Sequence, residues 1–272
     1  MSTLRLGVIG LGRFGRRHAA ALRCLEGVEL VAAVDPCGKY APELPGLPVL
    51  CELDALLDRG IDAAIVAAPP AANPRLASRL AAEGIHVLFE KPLGCSIAAA
   101  ERVRDAFVGT GLVAGVGHIE RFNPVAVAMR EVLHAEHGGR VRALRAHRCG
   151  PVPRRSWWLS VGLDLAVHDV DLLAWISGPL SPPQETLGDG EYLHAAGEVG
   201  AGVPFTITAD RRGDARVRRL TAVCEEGTLV ADLLEGTLKR GRDRYPRRVL
   251  GAGLAVTACR GRTQASARGR AA

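Results

Sequence analysis

The sequence predicts an α/β protein with two domains, a doubly wound parallel sheet followed by an α+β domain whose open sheet is largely antiparallel. Up to residue 117, short apolar runs alternate with helical stretches, a pattern typical of parallel strands that are buried on both faces. From residue 191 to 239, strand-like runs follow one another with only glycine-containing turns between them, as antiparallel strands require.

Six apolar runs in the first domain predict strands: LRLGVI (4–9), VELVAAVD (28–35), PVL (48–50), DAAIVAA (62–68), HVLF (86–89) and LVAGVG (112–117). The stretches between them predict helices at 15–27, 52–58, 73–83 and 96–108. Because each helix connects two apolar strands, the sheet is expected to be parallel and covered on both faces.

The pattern changes after residue 117. It predicts a helix at 124–137, a strand at 140–148, a second helix at 164–177, and strands YLHAAGEV (192–199), FTITAD (205–210), RVRRLTAVCE (216–225) and TLVADLLE (228–235). Residues 244–272 have no clear period and are expected to form a basic, low-complexity tail, disordered or truncated.

Charge and cysteine content exclude several classes of protein. The net charge of +6 comes from the tail, where seven arginines stand from Arg244 onward without an acidic residue, and no motif there predicts a nucleic-acid partner. Seven cysteines without a C-x-x-C pair indicate reduced thiols. No apolar run approaches the ~18 residues of a spanning helix, so we expect a cytoplasmic protein without a membrane partner.

A glycine-rich loop joins the first strand to the first helix. Gly10, Gly12 and Gly15 form G-x-G-x-x-G, and Asp35 ends the second strand. These glycines permit a tight turn, close approach of a pyrophosphate and close helix packing, and the acid accepts hydrogen bonds from a ribose. The sequence therefore predicts a Rossmann domain at 1–119, which binds the cofactor through loop residues Gly10, Leu11, Gly12, Arg13, Phe14 and Gly15 and through Asp35.

The residues after Asp35 favour NAD over NADP. Pro36 and Cys37 follow the acid, and no arginine stands beside it to meet a 2′-phosphate, although Lys39 is near enough to reach one. The remainder of the ordered chain, 120–243, is expected to bind the substrate and to form oligomers.

The strand HVLF (86–89) is followed by Glu90, Lys91 and Pro92, at the edge of the sheet where open α/β sheets bind ligands. The chain has only three lysines against 32 arginines, and lysine is the cation whose pKa shifts readily. Lys91 is therefore a candidate catalytic residue, with a surface lysine as the alternative.

Asp164 and His168 stand four residues apart in a predicted helix, which places them on one face, with Asp171 further along it. A carboxylate one turn away can orient an imidazole and raise its basicity, as a general base needs. A packed core histidine is an equally good interpretation of this spacing. Asp169 points elsewhere and is expected to be a solvated or packing carboxylate.

The segment GHIERFNP, residues 117–124, joins the two domains and brings Arg121 and Asn123 to the expected crevice. These side chains are suited to a hydroxylated or anionic substrate, and Asn123 before Pro124 is equally typical of a helix cap. The remaining histidines have no ligand spacing with carboxylates, so no metal site is predicted.

Taken together, GVIGLGRFGRRHAAAL, Asp35, FEKPLG, GHIERFNP and DLAVHDVDLLAWISG resemble the Gfo/Idh/MocA family of oxidoreductases from Leu4 to Lys239. VGHIERFNP and RCGPVPRRS are most similar to its UDP-N-acetylglucosamine 3-dehydrogenase subgroup. The resemblance implies that Lys91, Asp164 and His168 are catalytic, with a cis bond before Pro92. It also implies that Ala68, Pro69, Glu90 and Lys91 contact the cofactor and that the protein forms dimers or tetramers. Family members usually end in a helix that packs back against the molecule, whereas this chain is rich in arginine and without a clear pattern from Arg244 onward.

The expected activity is NAD-dependent removal of hydride from a secondary hydroxyl of a sugar or sugar nucleotide, with Arg121, Asn123, Arg148 and His168 binding the substrate. In this interpretation His168 takes the hydroxyl proton, Lys91 stabilises the alkoxide and Asp164 orients the imidazole. The alternatives are a dehydrogenase of myo-inositol or free sugars and a non-catalytic dinucleotide sensor. Arg121, Arg148, Arg154 and Arg155 favour a diphosphate if they converge on the cleft.

Overall fold

The computed structural model describes residues 3–38, 44–135, 139–151, 159–200, 202–241 and 243–244. Two sheets organise these residues, one of six strands in the first half of the chain and one of eight in the second. The predicted α/β fold class, a parallel sheet followed by a largely antiparallel one, is confirmed. Among the described helices, none has the length and apolar character needed to cross a membrane.

The first sheet has the order β3-β2-β1-β4-β5-β6, and all its strands are parallel. The strands are β1 (Leu4–Ile9), β2 (Val28–Val34), β3 (Val49–Leu50), β4 (Ala63–Val66), β5 (His86–Phe89) and β6 (Ala114–Val116). The helices are α1 (Arg13–Leu22), α2 (Leu53–Leu57), α3 (Asn73–Ala82) and α4 (Ile97–Asp105). Strand order reverses between β1 and β4, and ligands of such sheets bind outside the carboxyl ends of the strands at this point.

The second sheet has the order β14-β13-β12-β11-β7-β10-β9-β8. Its strands are β7 (Val141–Cys149), β8 (Glu185–Gly188), β9 (Tyr192–Val199), β10 (Val203–Asp210), β11 (Val217–Cys224), β12 (Gly227–Asp232), β13 (Thr237–Arg240) and β14 (Asp243–Arg244). Neighbouring strands are antiparallel except β7 and β10, which run parallel.

Two helices, α5 (Pro124–His134) and α6 (Val167–Ser177), pack on one face of this sheet. Apolar side chains of both helices, among them Met129 and Leu172, share a buried cluster with Leu144 and Leu220 of the strands. Burying this face supplies the main stabilisation of the second domain, since apolar burial contributes roughly 25 cal/mol per Å².

Several element boundaries differ from the predictions. The helix predicted at 124–137 ends at His134, and residues 136–138 lie outside the described part of the chain. The strand predicted to run to residue 235 ends at Asp232, because its carboxylate accepts hydrogen bonds from the backbone of Leu234 and Glu235 and forms a turn. The tail predicted at 244–272 lies, from residue 245 onward, outside the described residues.

Candidate active site

The glycine-rich loop has the geometry that a dinucleotide-binding turn requires. Gly10 has φ +94°, and a Cβ atom there would lie 2.7 Å from the carbonyl oxygen of Ala67. A Cβ atom on Gly15 would lie 1.7 Å from the carbonyl oxygen of Gly10, so helix α1 packs against the turn only because this residue is glycine. Asp35 is buried and accepts a hydrogen bond from the backbone N–H of Leu11 at 3.0 Å.

The loop leaves room for a pyrophosphate. A Cβ atom on Gly12 would meet nothing within 4 Å, and Gly12 is the residue before α1, whose N-terminus attracts anions. The first residues of α1, Arg13 and Phe14, line the adjoining cleft. The Leu11 side chain is buried in the core, so only the backbone of Leu11 is available to the cofactor. These residues fit NAD, with the pyrophosphate at Gly12 and the adenosine ribose at Asp35. Lys39 lies outside the described residues.

Ala68 and Pro69 come two and three residues after the end of β4, at the carboxyl edge of the sheet. The backbone nitrogen of Ala68 would lie 2.9 Å from a Cβ atom on Gly10, so this segment forms the wall opposite the glycine loop. Pro69 precedes a short 3₁₀ helix, Pro70–Ala72, which leads into α3. Both residues therefore border the predicted cofactor cleft.

Lys91 lies in the cleft between the two sheets and is mostly buried. Its Nζ atom donates to the backbone carbonyl of Asp164 at 2.9 Å and lies 3.4 Å from the Asp164 carboxylate. Burial lowers the pKa of Lys91, while Asp164 and Glu90 oppose that shift. The Lys91–Pro92 peptide bond is cis, as the resemblance implies.

Glu90 holds the neighbouring backbone. One oxygen of Glu90 lies 2.6 Å from Nε2 of His18 on α1, and the other accepts from the backbone N–H of Lys91 at 3.2 Å. Its carboxylate therefore ties the segment that carries Lys91 to the helix that follows the glycine loop.

Asp164 does not orient His168, contrary to the sequence-based expectation. Residues Gly162–Ala166 form a π-helical turn before α6, and this turn breaks the four-residue spacing of an α-helix. The Asp164 carboxylate instead contacts Lys91 and Arg211, with the Arg211 bond at 3.0 Å. Nδ1 of His168 is buried without a hydrogen-bond partner among the described residues.

His168 is a neutral imidazole at the floor of the cleft. Burial lowers its pKa to about 2, and the positive charges of Lys91, Arg148 and Arg218 add to the shift. The basicity of His168 is thus lowered, and the prediction that a carboxylate raises it is wrong. A neutral ring keeps the lone pair with which a general base accepts a proton.

Arg148 lines the cleft, and each of its three nitrogens donates to a carboxylate. Nε and Nη2 each donate to the Asp169 carboxylate at 2.9 Å, and Nη1 donates to Glu120 at 3.0 Å. Three of its five N–H groups are thus given to carboxylates, and two remain, so the role of Arg148 as a direct substrate ligand stays a prediction. Asp169 is also not solvated, since its side chain is 2% exposed.

The other predicted substrate residues are used within the protein as well. Arg121 forms a two-pronged ion pair with Asp171 on α6. Asn123 caps α5 by accepting from the backbone N–H of Val125, and it also donates to the carbonyl of Leu233 at 3.2 Å. The cap, which was the alternative interpretation of Asn123, is what the structure contains. Arg154 and Arg155 lie outside the described residues.

The cleft between the two sheets has a volume of about 350 Å³, and arginines from both domains line it. They are Arg13, Arg17, Arg148, Arg216 and Arg218. Among the described residues, Arg13, Arg17 and Arg216 have no ion-pair partner, and Arg218 is half-exposed with one contact to Glu120 at 3.2 Å. The cleft is therefore suited to more than one anionic group.

Sequence reasoning missed Arg17, Arg211, Arg216 and Arg218. For Arg218 a signal existed, because it lies on the same strand face as the buried Leu220 and Ala222, where an arginine is out of place. No group of described histidines, cysteines and carboxylates is arranged to hold a metal ion.

Comparison with known proteins identifies relatives of this arrangement. The model of the Gfo/Idh/MocA oxidoreductase family, described as having an NAD-binding Rossmann fold, matches residues 4–118. The UDP-N-acetylglucosamine 3-dehydrogenase of Acidithiobacillus ferrooxidans is 31% identical over 252 residues, which are 88% of this chain and 77% of that protein. Inositol 2-dehydrogenase 4 of Saccharopolyspora erythraea is 30% identical and covers 83% of this chain and 72% of its own length.

Solved structures of dehydrogenases and related proteins superpose on this chain. A structure of the Acidithiobacillus ferrooxidans enzyme GnnA superposes with a TM-score of 0.76 at 26% identity, over 92% of this chain and 86% of that one. GenD2 of gentamicin A biosynthesis, solved in complex with NAD, superposes with a TM-score of 0.77 at 25% identity, over 87% and 74% of the two chains. The predicted dehydrogenase class and the cofactor NAD are thereby confirmed. The chain belongs to the Gfo/Idh/MocA family of NAD-binding oxidoreductases.

Proposed function

We propose that this protein oxidises a secondary hydroxyl of a sugar nucleotide, with C3 of UDP-N-acetylglucosamine as the leading candidate. The observation that carries the proposal is the set of arginines in the cleft. Arg13 and Arg17 lie on α1 beside the pyrophosphate position of NAD, whereas Arg216 and Arg218 face the cleft from the second sheet. The second pair is therefore left for an anionic group of the substrate, and arginine is well suited to a diphosphate.

The electrostatics of His168 are also consistent with an anionic substrate near these arginines. Part of the lowering of its pKa comes from the positive charge of Arg218 and Arg148. A diphosphate bound near Arg218 would offset that charge and raise the basicity of the imidazole when substrate is present. A neutral sugar offers no such compensation.

The proposed chemistry uses three side chains. The neutral His168 ring takes the proton of the hydroxyl, and Lys91 stabilises the negative charge that develops on the oxygen. Asp164 holds Lys91 through its backbone carbonyl and its carboxylate. NAD, when bound, accepts the hydride from the carbon that carries the hydroxyl.

The proposal is tested by absorbance at 340 nm with NAD and a panel of UDP-N-acetylglucosamine, other nucleotide sugars, myo-inositol and free hexoses. Each substrate is tried with and without 2-oxoglutarate as an acceptor that recycles the cofactor. Reduction with UDP-N-acetylglucosamine supports the proposal. Failure of every nucleotide sugar, under conditions in which NAD binds, contradicts it.

Two variants on one strand sharpen this test. Arg218→Gln removes a cleft arginine and is expected to raise KM for the nucleotide sugar about tenfold or more. Arg219→Gln is the matched control, because Arg219 lies on the opposite face of β11 and is half-exposed beside Asp232. An equal effect of both variants would refute the role of Arg218.

A dehydrogenase of myo-inositol is the second candidate, since the Saccharopolyspora erythraea relative is an inositol 2-dehydrogenase. It predicts turnover with cyclitols alone and a KM that Arg218→Gln leaves unchanged. The same panel therefore separates the two candidates.

We further propose that the protein is a cytoplasmic homo-oligomer, a dimer or tetramer. One face of the second sheet packs against α5 and α6, and alternate residues such as Arg145 and His147 of β7 are exposed on the other face, where a second copy would bind. The described cysteines are all free thiols, which suits a reducing compartment. Light scattering coupled to size-exclusion chromatography tests the assembly, and a monomer at all concentrations would contradict it.

A further inference from the structure

A buried arginine that no motif predicts lies behind the Lys91–Asp164 pair. Arg211 follows β10 directly, and its side chain is 1% exposed. Nη2 donates to the Asp164 carboxylate at 3.0 Å and to the backbone carbonyl of Ser160 at 3.4 Å, while Nη1 donates to Glu191 at 3.3 Å. A guanidinium so far from solvent needs carboxylate partners, and the nearest of them is the carboxylate that Lys91 also contacts.

We propose that Arg211 is a positioning residue for Lys91, acting through Asp164. It holds the two acceptors of Lys91 in place and shares the negative charge of the Asp164 carboxylate. The inference rests on the proposed role of Lys91 in oxidising the substrate. Arg211 itself has no contact with the cleft and is not a catalytic residue.

The geometry of Asp164 supports this role. Its two carboxylate oxygens are divided, with Oδ2 3.0 Å from Arg211 and Oδ1 3.4 Å from Lys91. The shorter contact is the one to Arg211, so the carboxylate is oriented chiefly by the guanidinium. Arg211 also binds the carbonyl of Ser160, just before the π-helical turn, and this second bond fixes the turn that presents the Asp164 carbonyl to Lys91.

Charge sharing gives the role a measurable consequence. The groups that act on Lys91 are Asp164 from the π-helical turn, Glu90 from its own segment and Arg148 from β7, and Lys91 in turn acts on His118 and His168. Asp164 and Glu90 raise the pKa of Lys91 against the larger effect of burial. Because Arg211 neutralises part of the Asp164 charge, its removal leaves that charge to Lys91 alone. The pKa of Lys91 should then rise.

The first test needs neither cofactor nor substrate. The chain has only three lysines, so ¹³Cε-lysine NMR gives three titrating signals, and Lys91→Arg identifies one of them by its loss. We expect Arg211→Met to raise the titration midpoint of Lys91 by about one pH unit. Arg211→Lys, which keeps the charge, should restore most of the original value.

Arg212→Met is the matched control, because Arg212 is the next residue but is exposed, and its ion pairs with described residues are to Asp189 and Asp210, away from Lys91. It should leave the Lys91 midpoint unchanged. If Arg211→Met does not fold, Arg211→Gln is measured instead, since glutamine still donates a hydrogen bond to Asp164 without a charge. A folded, uncharged variant with an unchanged Lys91 midpoint would overturn the proposal.

The second test uses the substrate that the panel identifies. In Arg211→Met we expect kcat to fall about tenfold or more and the alkaline limb of its pH profile to move upward with the Lys91 midpoint, while KM for NAD changes less than twofold. A purely structural arginine would lower the folded fraction without moving the limb. Absence of turnover with every substrate in the wild type refutes the proposed function, and the NMR test then still decides the effect of Arg211 on Lys91.

Discussion

Replacing Arg148 by methionine should destabilise the protein severely, although the side chain lies at the floor of a cleft. The change leaves the Asp169 carboxylate, 2% exposed, without the two hydrogen bonds of 2.9 Å that it accepts from Arg148. Breaking a buried ion pair from one side costs about 3–5 kcal/mol, because a desolvated charge loses its partner. Glu120 is less affected, since Arg218 still contacts it at 3.2 Å.

Urea unfolding followed by circular dichroism measures this loss, and thermal unfolding should show a fall in Tm of about 10 °C. The double variant Arg148→Met with Asp169→Leu removes both charges and should recover most of the stability. The control is Arg142→Met, whose ion pair with Glu225 is exposed and should contribute less than about 1 kcal/mol. The reasoning is refuted if Arg148→Met costs no more than this control, or if the double variant is less stable than the single one.

The glycine loop and His168 can be tested separately. Gly12→Ala should fold normally but weaken NAD binding at least tenfold by calorimetry, since its methyl group would enter open space beside the pyrophosphate position. Gly15→Ala should instead lower Tm, because its methyl group would clash with the Gly10 carbonyl. His168→Ala should abolish turnover with NAD affinity retained, and undiminished turnover would exclude His168 as the base. The pKa of His168 is about 2 in the folded protein and about 6.5 in the unfolded chain, so between these values only the unfolded chain binds a proton there. The free energy of unfolding should therefore fall as the pH is lowered below 6.5, by about 2 kcal/mol at pH 5. Urea titrations measure this loss, and His168→Gln should lack it.

The first domain was predictable because its signals are local. Each parallel strand is a continuous apolar run, and the spacing of Gly10, Gly12 and Gly15 matches the turn that the loop forms. Lys91 was also accessible from sequence, because it directly follows a buried strand at the ligand-binding edge of the sheet.

The partners of the charged groups were not predictable in the same way. Asp164 and His168 have α-helical spacing in sequence, but a π-helical turn changes the direction of Asp164, and the residues that it contacts come from elsewhere in the chain. Arg148 and Arg218 stand opposite each other on adjacent strands, on the apolar face. Sequence periodicity reveals that they point inward, but it does not say which carboxylates meet them.

The connection between the two sheets also determines how the cleft can open. Gly117 is bonded to the carbonyl of Phe89 in the first sheet at 2.7 Å, whereas Glu120 and Arg121 are fastened to the second domain through Arg148 and Asp171. A rotation of the domains would therefore pivot within residues 117–119. The bond from Lys91 to Asp164 crosses the cleft, so any such rotation would have to break it.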